Sequence, residues 1–404
     1  MRASDIVRQF SCALSASVVR ARKCMMLALV DGLLKSQRLM LTALGRSLGS
    51  TTSAKHRIKR VDRFLGNPRV HQDLQHWYTA MARRLLRGNR RPVILIDWTQ
   101  TIGTCNALVA GVAFCGRAIP IYAEVHDGEP GSRRAQHDFL RALSEILPSG
   151  TRPIIVTDAG FKTPFFSSVR ELGWDFVIRL RGRGVLRRMS TNARIRDPRL
   201  PFATAYATAT DRARDLGEWT PYAAAGYLKP LCRIVLSAKP ARAEGPPRHD
   251  PYKQRALEPW LLATTIRKER PSRIVAVYRL RMQIELTFRD AKNGNCGWGL
   301  EHARSRDRQR QAVLLAIACL ALAAVLLIGL HAEARGASRA HQANTERTRR
   351  VYALSRLGTL VLAAGWQADA ASVVLDGRKA IFSFVRSGVQ LRLPNTTLHY
   401  GKWR

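Results

Sequence analysis

Two short apolar runs that each end in an acid constrain this chain most: Val93, Ile94, Leu95 and Ile96 lead into Asp97, and Ile154, Ile155, Val156 and Thr157 lead into Asp158. Uncharged runs of this length, rich in β-branched residues, read as strands buried on both faces. Such strands need helices on either side of their sheet, which commits the chain to an α/β layer fold. The surrounding pattern agrees. Val109–Phe114 and Ile119–Val125 read as two more strands separated by a turn at Cys115, Gly116 and Arg117. Ser132–Leu147 carries Phe139, Leu140, Leu143, Ile146 and Leu147 at helical spacing, and a short helix around Pro164–Leu172 precedes a strand at Trp174–Leu180. Three strands joined by tight turns, followed by strand, helix and strand, predict a mixed sheet with flanking helices.

The rest of the chain divides around this core. Residues 1–85 form an N-terminal helical region. Within it, Lys55, Arg57, Lys59, Arg60 and Arg63 surround Ile58, Val61 and Leu65, which predicts a basic amphipathic helix. By itself this pattern fits a nucleic-acid contact and a solvated surface helix equally well. A basic stretch with Gly88 and Pro92 marks a boundary, and residues 86–332 form the catalytic domain. An Arg- and Pro-rich segment at about 182–259 reads as a β-rich insertion, with Ala241–Gln254 as a loop inside it. Trp260–Ile266 returns to a strand, and Ser272–Lys292 is expected as one long amphipathic helix closed by Asn293 and Gly294. Ala312–Leu330 runs for nineteen residues without a charge. By length that is a membrane-span candidate, but it is Ala-rich and stands alone, so a buried helix covering a sheet is the favoured reading. Residues 333–404 carry no motif; from Thr345 a helix with short strands is expected, and dimer contacts are assigned there.

At 404 residues there is ample length for two or three domains. The formal net charge of +38, from 67 Lys plus Arg against 29 Asp plus Glu, calls for a polyanionic partner, nucleic acid first and a membrane surface second. A GC-rich source would explain why Arg dominates Lys, but not the shortage of acids. Seven cysteines with no C-x-x-C pair argue against a disulfide framework and a zinc site, and point to a reducing compartment. No convincing signal peptide precedes the first helices.

In so basic a chain, acids at the ends of two apolar strands are informative, because active sites gather at strand ends in α/β sheets. A third acid, Glu285, falls on the predicted helix Ser272–Lys292. Tyr278, Arg281, Glu285, Arg289 and Lys292 are spaced to lie along one helical face, with Val277, Leu280, Ile284, Phe288 and Ala291 on the adjoining apolar face. A phenol, two guanidiniums and an ammonium around one carboxylate suit a phosphate cradle.

At this point the chain resembles the DDE transposases of bacterial insertion sequences, and within them the group whose signature is Tyr, two residues, Arg, three residues, Glu, six residues, Lys. Tyr278, Arg281, Glu285 and Lys292 match that spacing, Asp97 and Asp158 match the two other acidic motifs, and the resemblance spans about Ser53–Leu330. Two departures are visible: Met282 stands where Trp is frequent, and Ala159 where Arg is frequent. The resemblance implies a ribonuclease-H-like fold in which Asp97, Asp158 and Glu285 are catalytic and hold two divalent cations, Mg²⁺ or Mn²⁺. It implies cut-and-paste transposition on double-stranded DNA, the element's terminal repeats and its target, by a homodimer. Tyr278, Arg281, Arg289 and Lys292 would grip phosphates around the scissile bond, Trp219 or Trp260 would stack on a flipped base, and Arg57, Lys59, Arg60 and Arg63 would bind the element's end. A bacterial cytoplasmic, nucleoid-associated location without membrane attachment follows. Four other readings stay open on the residues alone: a nuclease that cuts without joining, a DNA-binding copy without chemistry, a membrane protein resting on Ala312–Leu330, and a glycosidase using Asp97 and Glu285.

Overall fold

A computed structural model describes residues 1–12, 14, 18–128, 130–161, 163–188, 198–223, 226–227, 231–238, 258–292, 297–346 and 350–387. In chain order the elements are α1 (Ala3–Ser11), α2 (Arg20–Ser36), α3 (Leu41–Ser47), α4 (Ala54–Leu65), α5 (Pro68–Leu86), β1 (Val93–Gln100), β2 (Asn106–Phe114), β3 (Arg117–His126) and α6 (Arg133–Ile146). There follow β4 (Ile154–Thr157), α7 (Thr163–Glu171), β5 (Asp175–Leu180), β6 (Gly184–Arg187), β7 (Arg199–Pro201), α8 (Phe202–Ala207), β8 (Arg214–Ala223), β9 (Gly226–Tyr227), β10 (Cys232–Ser237) and β11 (Trp260–Thr264). The last helices are α9 (Pro271–Arg279), α10 (Met282–Lys292), α11 (Arg308–Glu333), α12 (Leu354–Ala363) and α13 (Ala370–Ser387). Two compact units emerge: the first comprises Met1–Ser132, Arg141–Thr151 and Met282–Arg404, the second Arg133–Leu140 and Arg152–Arg281. This grouping by packing cuts across chain order, so α1–α5 and the C-terminal helices share a unit with β1–β3.

In the first unit β1, β2 and β3 form an antiparallel meander, with Asp97 opposite Val109 and Phe114 opposite Arg117. The β2–β3 turn holds Cys115 at φ 43° and Gly116 at φ 91°. Two successive positive φ values are those of a type I′ hairpin turn, whose twist suits the flanking strands. Helix α11 is apolar on every side, which is the pattern of a helix with no solvent face. It packs against β3 and against α1, α2, α5, α12 and α13. It is long and apolar enough to cross a membrane, yet its apolar window is wholly buried by protein, in line with the buried-helix reading. Where α11 crosses α12, Gly329 and Gly358 let the backbones meet: a Cβ at Gly329 would run into the carbonyl oxygen of Leu354, and one at Gly358 into that of Val325. After Thr345 the described residues contain two helices, α12 and α13, and no strand; residues 388–404 of the expected mixture of helix and short strands lie outside the described residues.

In the second unit β4 and β5 run parallel, with Ile154 beside Asp175 and Thr157 beside Ile178. The order β5-β11-β10-β8-β6-β7 then continues antiparallel, with β9 on β8. The sheet is therefore mixed, as predicted, and the insertion at about 182–259 is β-rich in β6–β10 with the single short helix α8 among its described residues. The Ala241–Gln254 loop, and the helix stop at Asn293 and Gly294, lie outside the described residues. Helix α7 closes with Gly173 at φ 70°, the Gly173 N–H on the Arg170 carbonyl at 2.8 Å and the Trp174 N–H on the Val169 carbonyl at 3.1 Å. That paired closure satisfies the last carbonyls of the helix and turns the chain into β5.

Candidate active site

Asp97 occupies the second half of β1, half-buried, and its carboxylate accepts the N–H of Trp98 at 2.9 Å. In the same unit α10 lies over β1, β2 and β3. A polar stripe on that helix fastens it to the β2–β3 hairpin. Gln283 Oε1 accepts the Phe114 N–H at 2.9 Å, and Thr287 Oγ1 accepts the Ala118 N–H at 2.8 Å. Asp290 takes Arg117 Nε at 2.8 Å and Ser355 Oγ from α12 at 2.6 Å. Gln283, Thr287 and Asp290 stand at helical offsets of zero, four and seven. Glu285, Arg289 and Lys292 repeat those offsets two residues on, about 160° around the helix. Docking one stripe therefore turns the other away from the hairpin, leaving Glu285 and Lys292 half-buried and Arg289 exposed.

The predicted five-residue face is not one face. Between α9 and α10 the helix breaks: Leu280 N–H bonds to Val277 O at 3.2 Å and Arg281 N–H to Tyr278 O at 3.0 Å, three-residue closures that tighten the turn. Tyr278 ends up on α9, Arg281 in the break, and only Glu285, Arg289 and Lys292 share α10. Tyr278 is 4% exposed, packed edge-on against Trp260 with ring centroids 5.1 Å apart. Burial pushes its phenol above the usual range, the Asp158 carboxylate adds to that, and the guanidiniums of Arg281 and Arg179 pull the other way; Arg281 also bonds the phenol. Tyr278, Arg281, Arg179, Trp260 and Asp158 are thus neighbours within the second unit. Asp158 follows β4 directly, and its Oδ1 accepts the Gly160 N–H at 2.8 Å. The other aromatic candidate, Trp219 on β8, lies under the Arg188 guanidinium at 4.6 Å.

Comparison with known proteins adds the family. Residues 88–322, more than half of the chain, match the family described as "Transposase DDE domain". The chain belongs to that family. It is thus a transposase by family, a class of enzyme that cuts and rejoins nucleic-acid backbones. No curated protein gives a match. Among solved structures, the cryo-EM structure of the piggyBac transposase synaptic complex with hairpin DNA matches at 12% identity and a TM-score of 0.41, covering 98% of this chain and 84% of that one.

Asp97, Asp158 and Glu285 all fall inside the matched segment of the transposase. Their carboxylate oxygens are the hard donors that Mg²⁺ and Mn²⁺ take, so the donor set fits such a cation. Asp97 and Glu285 belong to the first unit and Asp158 to the second. Among the described residues, no three His, Cys, Asp or Glu side chains are gathered closely enough to hold a metal ion.

Sequence reasoning missed Gln283, Thr287 and Asp290, whose partners lie 169 to 173 residues away in sequence for the hairpin contacts. Nothing local signals a polar residue whose partner is a distant backbone. Thr287 is 1% exposed, so Thr287→Val leaves a buried Ala118 N–H without its acceptor. It should lower transposase stability by about 1–3 kcal/mol, read by denaturant unfolding; an unchanged midpoint would show that the hydroxyl does not hold α10.

The basic helix α4 forms as predicted, with Val61, Phe64 and Leu65 buried and Lys59, Arg60 and Arg63 exposed. Arg57 differs: its Nη1 donates to the Leu48 carbonyl at 2.8 Å and its Nε is buried without a hydrogen-bond partner in the described structure. Its guanidinium ties α4 to the end of α3, which makes it in part a structural residue.

Proposed function

We propose that this transposase belongs to the bacterial insertion-sequence group marked by Tyr278, Arg281, Glu285 and Lys292, with a ribonuclease-H-like core. In this reading it acts in the cytoplasm, at the nucleoid, on double-stranded DNA. Two copies would bind the paired ends of the element and carry them through cut-and-paste transposition. The observation that carries the reading is the family match over 88–322, which encloses Asp97, Asp158 and Glu285.

Asp97, Asp158 and Glu285 would hold two divalent cations, Mg²⁺ or Mn²⁺. When bound, these supply acidified water and charge stabilisation at a phosphodiester under in-line attack. The chain's own residues bind and orient the DNA. Arg281, Arg289 and Lys292 neutralise phosphates around the scissile bond, the two arginines by forked hydrogen bonds and the lysine as a point charge. Tyr278, buried against Trp260, gives a rigid aromatic wall at the place where a base leaves the stack. Water would nick the end, the freed 3′-hydroxyl would attack the opposite strand to form a hairpin, and after hairpin opening the same 3′-end would join target DNA. No covalent protein–DNA intermediate is needed. The tight docking of α10 through Gln283, Thr287 and Asp290 fixes the helix that presents Glu285.

The test is incubation of the protein with duplexes carrying the sequences that flank its gene, with Mg²⁺ or EDTA, and product analysis on denaturing gels. Nicks, hairpins and joined products that need the cation support the reading. Cutting without joining would make the protein a nuclease, and binding without cutting would make it a catalytically dead DNA-binding copy.

The exposed basic face of α4 is assigned to the terminal DNA sequence. Replacing Lys59, Arg60 and Arg63 by Gln should flatten the dependence of log affinity on log salt by about 0.9 for each phosphate that is no longer neutralised. An unchanged slope in fluorescence anisotropy would leave α4 as a solvated helix.

A further inference from the structure

We propose that Arg179 is a further DNA-binding residue of this site, gripping one backbone phosphate of the strand held beside Asp158; this rests on the function proposed above. The parallel pairing of β4 and β5 ends with Thr157 beside Ile178, so the next residues, Asp158 and Arg179, stand at the same level at the carboxyl ends of the two strands. Ligands of open α/β sheets gather there. Both groups also lie within electrostatic reach of the same buried phenol, Tyr278.

The Arg179 guanidinium is buried and weakly compensated. Its side chain is 11% exposed, and burial lowers its pKa. Nη2 donates to the Glu258 carbonyl oxygen at 3.0 Å, and the Glu258 carboxylate lies 3.7 Å away. That carboxylate is closer to Arg181, at 3.0 Å. Arg179 Nε is buried with no hydrogen-bond partner in the described structure. One carboxylate therefore serves two guanidiniums, and the more deeply buried one has the poorer share. A desolvated charge compensated this weakly costs stability. Evolution tolerates such a cost at sites where a ligand completes the charge balance, and the guanidinium fork matches two oxygens of a phosphodiester. The ligand class is thus an anion that offers two oxygens to the fork, as a backbone phosphodiester does.

The test pairs Arg179→Gln and Arg179→Lys with a scan in which single phosphates of the end DNA are replaced by neutral methylphosphonates. Thermal melting of both variants is the folding control. In the wild-type protein, methylphosphonate at the gripped phosphate should slow cleavage about tenfold, and Arg179→Gln should slow cleavage of normal DNA by the same factor. In Arg179→Gln the modification at that one position should then have no further effect, while every other position behaves as in wild type. Arg179→Lys should recover part of the rate, because it restores the charge without the fork. If the scan has the same profile in wild type and Arg179→Gln, the assignment is overturned, whatever happens to the overall rate. If the wild-type protein cuts no end DNA, the same scan is read as binding affinity. The function proposed above then fails in the wild type, and Arg179 is judged separately on whether one position loses its sensitivity.

Discussion

Glu285→Gln is expected to abolish cleavage of end DNA, slowing it by at least about 10³-fold, while leaving DNA affinity within about twofold. Removal of one preorganised electrostatic group from an active site costs about 10²–10³-fold, and loss of a carboxylate ligand to a catalytic cation should cost at least as much. Binding is expected to be spared because the cations assigned above to DNA are separate residues, Arg289 and Lys292 on α10 and the exposed basic residues of α4. Folding is spared because α10 is held by Gln283, Thr287 and Asp290 on another stripe, and Glu285 is only half-buried. Single-turnover cleavage and anisotropy on the same preparations check both halves. Equal cleavage by wild type and Glu285→Gln would remove Glu285 from the catalytic set.

Gly329→Val should have the largest effect on stability, a loss of about 3 kcal/mol or more, seen as a collapse of soluble yield or a large drop in Tm. The new side chain would meet the Leu354 carbonyl oxygen on α12, and a helix backbone cannot swing aside as a flexible side chain can. Relief requires α11 and α12 to separate, which opens a gap in the most apolar part of the first unit. Gly49→Ala is the control, since a Cβ there meets nothing within 4 Å. Equal stability of the two variants would mean that the crossing is looser than the structure has it.

The parts of the fold that were legible in the sequence are those whose signal is local. Val93–Ile96 of β1 and all of β4 are uncharged because they are buried in the sheet, the β2–β3 hairpin carries its glycine, and α11 has no polar side to misread. The break at Arg281 was not legible, because no Gly or Pro marks it and the helical spacing continues through Leu280 and Ile284. For the same reason the signature residues read as sharing one face, when Tyr278 is a buried residue of α9. In α13, Val373, Val374 and Ile381 favour strands locally, yet packing against α11 and α1 makes them helix. The three candidate acids were legible because acids are scarce here. The residues that fix α10 were not, because their meaning lies in strands far away along the chain.

The burial of α11 also has a consequence for synthesis. A translating ribosome releases this nineteen-residue uncharged segment while α12 and α13, which cover part of it, do not yet exist. At about 5–20 residues per second, the 54 residues from the end of α11 to the end of α13 take roughly 3–10 s to make. During that interval the nascent chain presents what the cell's export machinery treats as a span, with α1, α2, α4, α5 and β3 available to compete for it. Early docking of the N-terminal helices therefore matters for more than the finished fold: it competes with insertion of this segment into a membrane while the chain is still being made.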